Sequence, residues 1–171
     1  LDGEPAIQAL DKVYGSLSEK DRVRFRNSPH VGISLHAGKQ PYRPGDYLLR
    51  NVLGVDREKG AVAMGAHLEV GMEVRLHIRD ADPSTLDLDA VLDRAAQRGK
   101  GASGALLFSC LGRGENLYGA TGHDSGVFKQ YFGDAALGGF FCNGEIGPVH
   151  GKTHLHGYTS SFAVFRARGW D

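Results

Sequence analysis

Cysteine is nearly absent from this chain. Its 171 residues include only Cys110 and Cys142, which excludes a disulfide-stapled scaffold. A single bridge between them is possible, since both follow apolar, strand-like runs, but two reduced thiols suit the expected cytoplasmic setting better. An excess of one charge is missing too. Lys and Arg number 20 together, as do Asp and Glu. That balance excludes nucleic-acid binding by bulk attraction and a charged disordered tail. Apolar runs such as residues 104–108 fall far short of the roughly 20 residues of a membrane-spanning helix. No basic start leads into an apolar stretch, so no signal peptide is read and no membrane partner is expected. The first residue is Leu1, not Met, so the chain is expected to be a piece of something longer.

Several chemical signatures are also lacking. There is no G-x-x-x-x-G-K-[ST] phosphate loop, no G-x-G-x-x-G opening a helix and no G-x-S-x-G elbow. Aromatic residues are not interleaved with a basic patch, which argues against an RNA-binding sheet. No cofactor is expected.

What is abundant is glycine, at 25 residues, about twice average usage. From Gly99 onward the glycines punctuate polar motifs, a pattern of backbone held close to something. Hydrophobic residues make up 41% and charged residues 23%, an ordinary globular composition. The length suits one domain over residues 1–171. Residues 1–100 read as a scaffold half and residues 101–171 as a motif-bearing half.

Local patterns place the elements. Helices are expected over residues 4–14, and from a Ser18–Asp21 capping box to about Phe25. Strands are expected at 30–35, 47–55, 60–64 and 74–79. A helix starts at Asp82-Pro83-Ser84 and carries one apolar face of Leu86, Leu88, Val91, Leu92 and Ala95, with Gly99 as its stop. The apolar runs 104–108 and 136–141 read as strands buried on both faces. Between them His123-Asp124-Ser125 caps a helix bearing Val127, Phe128, Tyr131 and Phe132. The order strand, helix, strand favours a parallel crossover pair. Residues 153–158 and 161–166 read as a closing hairpin with Phe162, Val164 and Phe165 in its core. The expected fold is α+β: mostly antiparallel sheet with packed helices, compatible with a two-sheet sandwich that holds one parallel crossover pair.

Phe108-Ser-Cys110-Leu-Gly112 and Phe140-Phe-Cys142-Asn-Gly144 share a layout of strand, Cys, any residue, Gly. In a parallel pair both glycine-rich loops leave from the same end of the sheet, where ligands of open α/β sheets bind. The polar residues of this half are Ser109, Cys110, Arg113, Glu115, Asn116, His123, Asp124, Asn143, Glu145, His156, Tyr158, Thr159 and Ser160. Arg113 can grip a carboxylate with two parallel bonds, and Glu145 or Asp124 can hold an ammonium. That is equipment for a zwitterion such as an amino acid. The bland alternative pairs Arg113 with Glu145 merely to pin two loops. An enzyme alternative makes Cys142 or Cys110 a nucleophile, with His123 or His156 as base and the amides of Asn143-Gly144 as oxyanion donors; packed thiols are the commoner case. A metal alternative joins Cys110, Cys142, His154 and His156, because His154 and His156 share a strand face. His123-Asp124-Ser125 reads as a helix cap, not a compressed triad.

Four blocks, GALLFSCLGRGENLYGA at 104–120, HDS at 123–125, GFFCNGEIGPV at 139–149 and LHGYTSSFA at 155–163, together resemble the C-terminal domain of FIST proteins, the F-box and intracellular signal transduction family. Residues 1–6 and 49–55 resemble it as well, so the likeness covers essentially the whole chain. The resemblance implies a cytoplasmic signal-transduction domain that senses a small ligand, with amino acids or their derivatives suggested and no established catalysis. It also implies an N-terminal FIST domain in the same protein and a downstream signalling partner. The ligand-binding candidates are Ser109, Cys110, Arg113, Asn116, His123, Asp124, Cys142, Asn143, Glu145, His156, Tyr158 and Thr159. A protein-interaction module is a third reading, implied by the F-box branch. His150 and His154 depart from the family pattern, where a small and an apolar residue are usual.

Overall fold

A computed structural model describes residues 1–36, 38, 41–98 and 101–167. These divide into two compact units, Leu1–Asp80 and Ala81–Asp171. Gly99, the expected helix stop, lies outside the described residues. The α+β class holds: helices pack on mostly antiparallel sheets, and one mixed sheet contains a parallel pair.

The first unit opens with two helices, α1 (Ala6–Ser16) and α2 (Glu19–Asn27). Ser18 caps α2 by accepting from the Asp21 amide at 3.2 Å, as the capping-box pattern predicts. Four strands follow: β1 (His30–Ser34), β2 (Tyr47–Asp56), β3 (Ala61–Met64) and β4 (Val74–His77). They form one antiparallel sheet in the order β3-β2-β1-β4. Ile7, Phe25 and Val31 are buried here. His77 lies across the β1 backbone, and a Cβ at Gly32 would stand 2.5 Å from its Nε2. The imidazole thus occupies the space a side chain would need.

The second unit begins with α3 (Ala81–Arg98), which leads into β5 (Ala102–Cys110). Then come α4 (Glu115–Tyr118), α5 (His123–Phe132), β6 (Ala136–Cys142), β7 (Glu145–Val149), β8 (Lys152–His156) and β9 (Ser160–Arg166). One sheet has the order β6-β5-β9, and β7 with β8 forms a separate hairpin. The β5–β6 pair is parallel, as the strand–helix–strand order predicts. Leu88 and Leu92 of α3 pack with Ala105, Val127 and Phe128. Phe128 stacks on Phe132 at 4.7 Å and on Phe162 at 5.7 Å between centroids.

Four expectations for this unit need correction. β8 and β9 are not a hairpin: β8 pairs with β7 and β9 pairs with β5. Residues 145–149 are a strand, where only loop was expected. The apolar face of α3 is narrower than its Leu and Val positions suggest, since Leu86 and Val91 are exposed. Finally, the runs 104–108 and 136–141 are not buried on both faces. Helices cover one face of β5, while Leu106 on the other is partly open. β6 is an edge strand with Phe140 63% and Phe141 56% exposed.

The candidate functional site

β5 and β6 run parallel and end side by side at Cys110 and Cys142, which are partners in register. The loop after β5 carries Arg113, and the turn after β6 leads to Glu145. Gly114 follows Arg113 at φ +73°, and a Cβ there would press on the Phe141 ring at 3.4 Å. Glycine therefore lets the chain turn sharply against β6.

Arg113 is buried and does not reach Glu145. Its Nε donates to Asp124 Oδ2 at 2.8 Å and its Nη2 to Oδ1 at 3.0 Å. Its Nη1 donates to Ser84 Oγ at 3.1 Å and to the Tyr158 carbonyl at 3.4 Å. The two side chains expected to hold opposite ends of a ligand thus hold each other. Asp124 also accepts from Ser109 Oγ at 3.0 Å and, in a short bond, from Ser160 Oγ. Burial alone would raise its pKa. The bonds and charge of Arg113, then Ser160 and His123, instead hold it far below the ordinary carboxylate range. Arg113 is shifted up despite its own burial, because Asp124 favours the cation.

His123 extends the cluster. Its Nδ1 lies 3.0 Å from Asp124 Oδ1 and its Nε2 3.0 Å from Thr85 Oγ1. Its ring stacks on Tyr118 at 3.4 Å, with planes only 7° apart. The residue is a joint between helices. The helix cap itself is Gly122, in a left-handed conformation and without a side-chain cap bond, so HDS is not the expected capping motif.

Glu145 is the second buried carboxylate, 1% exposed. Its Oε2 accepts from the Thr159 amide at 3.3 Å and the Thr159 hydroxyl at 2.9 Å. Its Oε1 accepts the Cys142 thiol at 3.4 Å. Burial, with the nearby Glu145 and Cys110, pushes the Cys142 thiol pKa up.

Residues 158–160 tie both carboxylates together. The Tyr158 carbonyl meets Arg113, Thr159 meets Glu145 and Ser160 meets Asp124. The Thr159 carbonyl accepts from the Cys110 amide at 3.0 Å. Tyr158 sits at φ +63°, a strained conformation for a bulky residue, and such strain clusters at functional sites.

The structure therefore brings together Ser109, Arg113, His123, Asp124, Tyr158 and Ser160, with Cys110, Cys142, Glu145 and Thr159 linked beside them through residues 158–160. Asn116, in α4, and Asn143, in the turn after β6, are both exposed. His156 is spent within its hairpin, its Nε2 3.0 Å from the Gly147 carbonyl. His154 and His156 face each other at 6.0 Å between rings. Among the described residues no three His, Cys, Asp or Glu side chains gather to hold a metal, and Cys110, Cys142, His154 and His156 are not assembled into one cluster. His150 occupies the β7–β8 turn at φ +49°. Sequence reasoning missed Ser84, Thr85 and Tyr118. Ser84 and Thr85 look like ordinary first-turn helix residues, and no spacing rule links them to a motif some thirty residues on.

This is an α+β module whose buried polar residues converge where β5 and β6 end. The chain belongs to the FIST C domain family, which it matches over residues 6–148. The match ends before the 155–163 block that also resembles the family. Membership supports a role in signal transduction. An uncharacterized protein of Mycobacterium bovis is 36% identical over 166 residues, covering 96% of this chain and 43% of its own length. An uncharacterized protein of Mycobacterium tuberculosis has the same identity and coverage. An F-box/LRR-repeat protein of Arabidopsis thaliana is 23% identical over 187 residues, covering 96% of this chain and 34% of its own length. The chain thus spans less than half the length of these relatives. No helix among the described residues is long and apolar enough to cross a membrane.

Proposed function

We propose that this chain is a cytoplasmic sensory domain that binds a small amino-acid-like ligand at the loops rooted in β5 and β6. The observation that carries the reading is the closed arrangement of Arg113, Asp124 and Glu145 around residues 158–160. Buried charges of both signs meet where the Arg113 loop, the first turn of α5 and the start of β7 converge, beside the strained Tyr158 backbone. In the bound state the ligand exchanges partners with the internal pair. Its carboxylate takes Arg113 and its ammonium takes Asp124 or Glu145, so neither charge is left bare. Ser109, Cys110, Asn116, His123, Cys142, Asn143, His156, Tyr158 and Thr159 complete the proposed site. Releasing residues 158–160 shifts the population toward a second loop arrangement. An N-terminal FIST domain of the same protein and a downstream signalling protein read that change.

One observation favours a second reading, a protein-interaction module: the exposed aromatic pair Phe140 and Phe141 on edge strand β6. The cysteine-hydrolase reading gains less, since the Cys142 thiol is held protonated and His156 is engaged elsewhere.

Thermal unfolding against a panel of amino acids, small carboxylates and divalent metals tests the proposal. A ligand that binds only the folded state adds about 2.7 kcal/mol at a hundredfold excess over its Kd. The expected result is stabilisation by an amino-acid-like compound that Glu145→Gln and Asn143→Ala abolish. No stabilisation by any panel member, or one that both variants retain, overturns it.

A further inference from the structure

Cys110 and Cys142 are the last residues of β5 and β6 and are register partners in the parallel ladder. Neighbouring strands lie about 4.8 Å apart, inside the roughly 4.4–6.8 Å Cα window of a disulfide. Register partners of a parallel pair project to the same face of the sheet. The Cys142 sulfur leans toward β5, 3.6 Å from the Ser109 carbonyl. The pairing continues past the cysteines, with the Leu111 amide 2.9 Å from the Cys142 carbonyl. Both cysteines are free thiols. Beside them Glu145, an acceptor buried at 1% exposure, receives the Cys142 thiol proton in a 3.4 Å bond.

We propose that Cys110 and Cys142 form a dithiol site that a hydroperoxide oxidises to an intramolecular disulfide. Cys142 is the more open of the two and reacts first. Its thiol proton passes to Glu145 Oε1 and its sulfur attacks one peroxide oxygen. The O–O bond breaks, and the leaving hydroxide takes the proton from Glu145 and departs as water. Cys142 is now a sulfenic acid. The Cys110 sulfur then attacks the Cys142 sulfur, an S–S bond forms and the S–O bond breaks. The second hydroxide leaves as water with the Cys110 proton. Two thiols lose two electrons, and one hydrogen peroxide becomes two waters. Because burial keeps Cys142 protonated at rest, oxidation is slower than at an exposed thiolate sensor.

The bond has a consequence for the loops. It ties their roots together and removes the thiol proton that Glu145 Oε1 accepts. A buried carboxylate that loses a donor is costly, so oxidation leaves Glu145 less well satisfied, with the Thr159 amide and hydroxyl still donating to its Oε2. This inference does not depend on the ligand reading, because oxidation is measured without ligand.

The test treats the native protein with hydrogen peroxide, then denatures it, adds N-ethylmaleimide and measures the intact mass. The expected result is a monomer lighter by two hydrogen atoms that takes up no maleimide. Dithiothreitol should restore both alkylation sites. In Cys110→Ser the reaction stops at the sulfenic acid, so dimedone labels Cys142. Full alkylation of both cysteines in the treated wild-type protein overturns the proposal. So does a disulfide found only between two chains.

Discussion

Arg113 and Asp124 form a two-pronged ion pair, side by side at 2.8 and 3.0 Å, with side chains only 6% and 7% exposed. Removing one partner of such a pair leaves a buried charge uncompensated. Asp124→Asn should therefore lower the unfolding free energy by about 3–5 kcal/mol at neutral pH, read from urea denaturation. Replacing both residues at once should cost less than the sum of the single changes.

The same pair sets the acid response. The folded pKa of Asp124 is depressed, whereas an unfolded aspartate titrates near ~3.9. The stability it contributes is present above that value and is lost as pH falls through the folded pKa. The urea midpoint should drop below about pH 4, and more gently in Asp124→Asn.

Histidines in the first unit work higher on the pH scale. Burial lowers the pKa of both His30 and His77. An unfolded histidine takes its proton near ~6.5, before these two do. The stability they contribute is present above that pH and lost as pH falls toward their folded values. Melting temperature should decline as pH falls below about 6.5, and His77→Gln should weaken that decline.

Gly139 is needed for β6 to lie against β5. At φ +155° a Cβ there would collide with the Leu107 carbonyl oxygen. Gly139→Ala should destabilise the second unit by about 1–3 kcal/mol, seen as faster amide exchange in β5 and β6 than in the first unit.

Phe128 is the core probe. It is 1% exposed and stacks between Phe132 and Phe162. Phe128→Ala should cost about 3–5 kcal/mol in denaturant unfolding. Leu86→Ala on the exposed side of α3 should change stability by less than about 0.5 kcal/mol.

What the sequence alone determined was local. Apolar periodicity, with the Ser18 cap at α2, placed α1, α2, α3, α5 and the strands of the first unit within a few residues. The strand–helix–strand order led to the parallel pair, and the repeated Cys-x-Gly layout put both loops at one end of it. These features depend on near neighbours along the chain and on chain handedness. Tertiary structure decided the partnerships. Nothing local tells Arg113 to choose Asp124 over Glu145, because both carboxylates are reachable in a flexible chain. Only the packing of α5 against β5 brings Asp124 under the guanidinium, while residues 158–160 enclose Glu145 instead. Burial of β6 was equally beyond reach. An apolar run reports that a strand would gain from being covered, but which faces are covered depends on which elements the rest of the fold supplies.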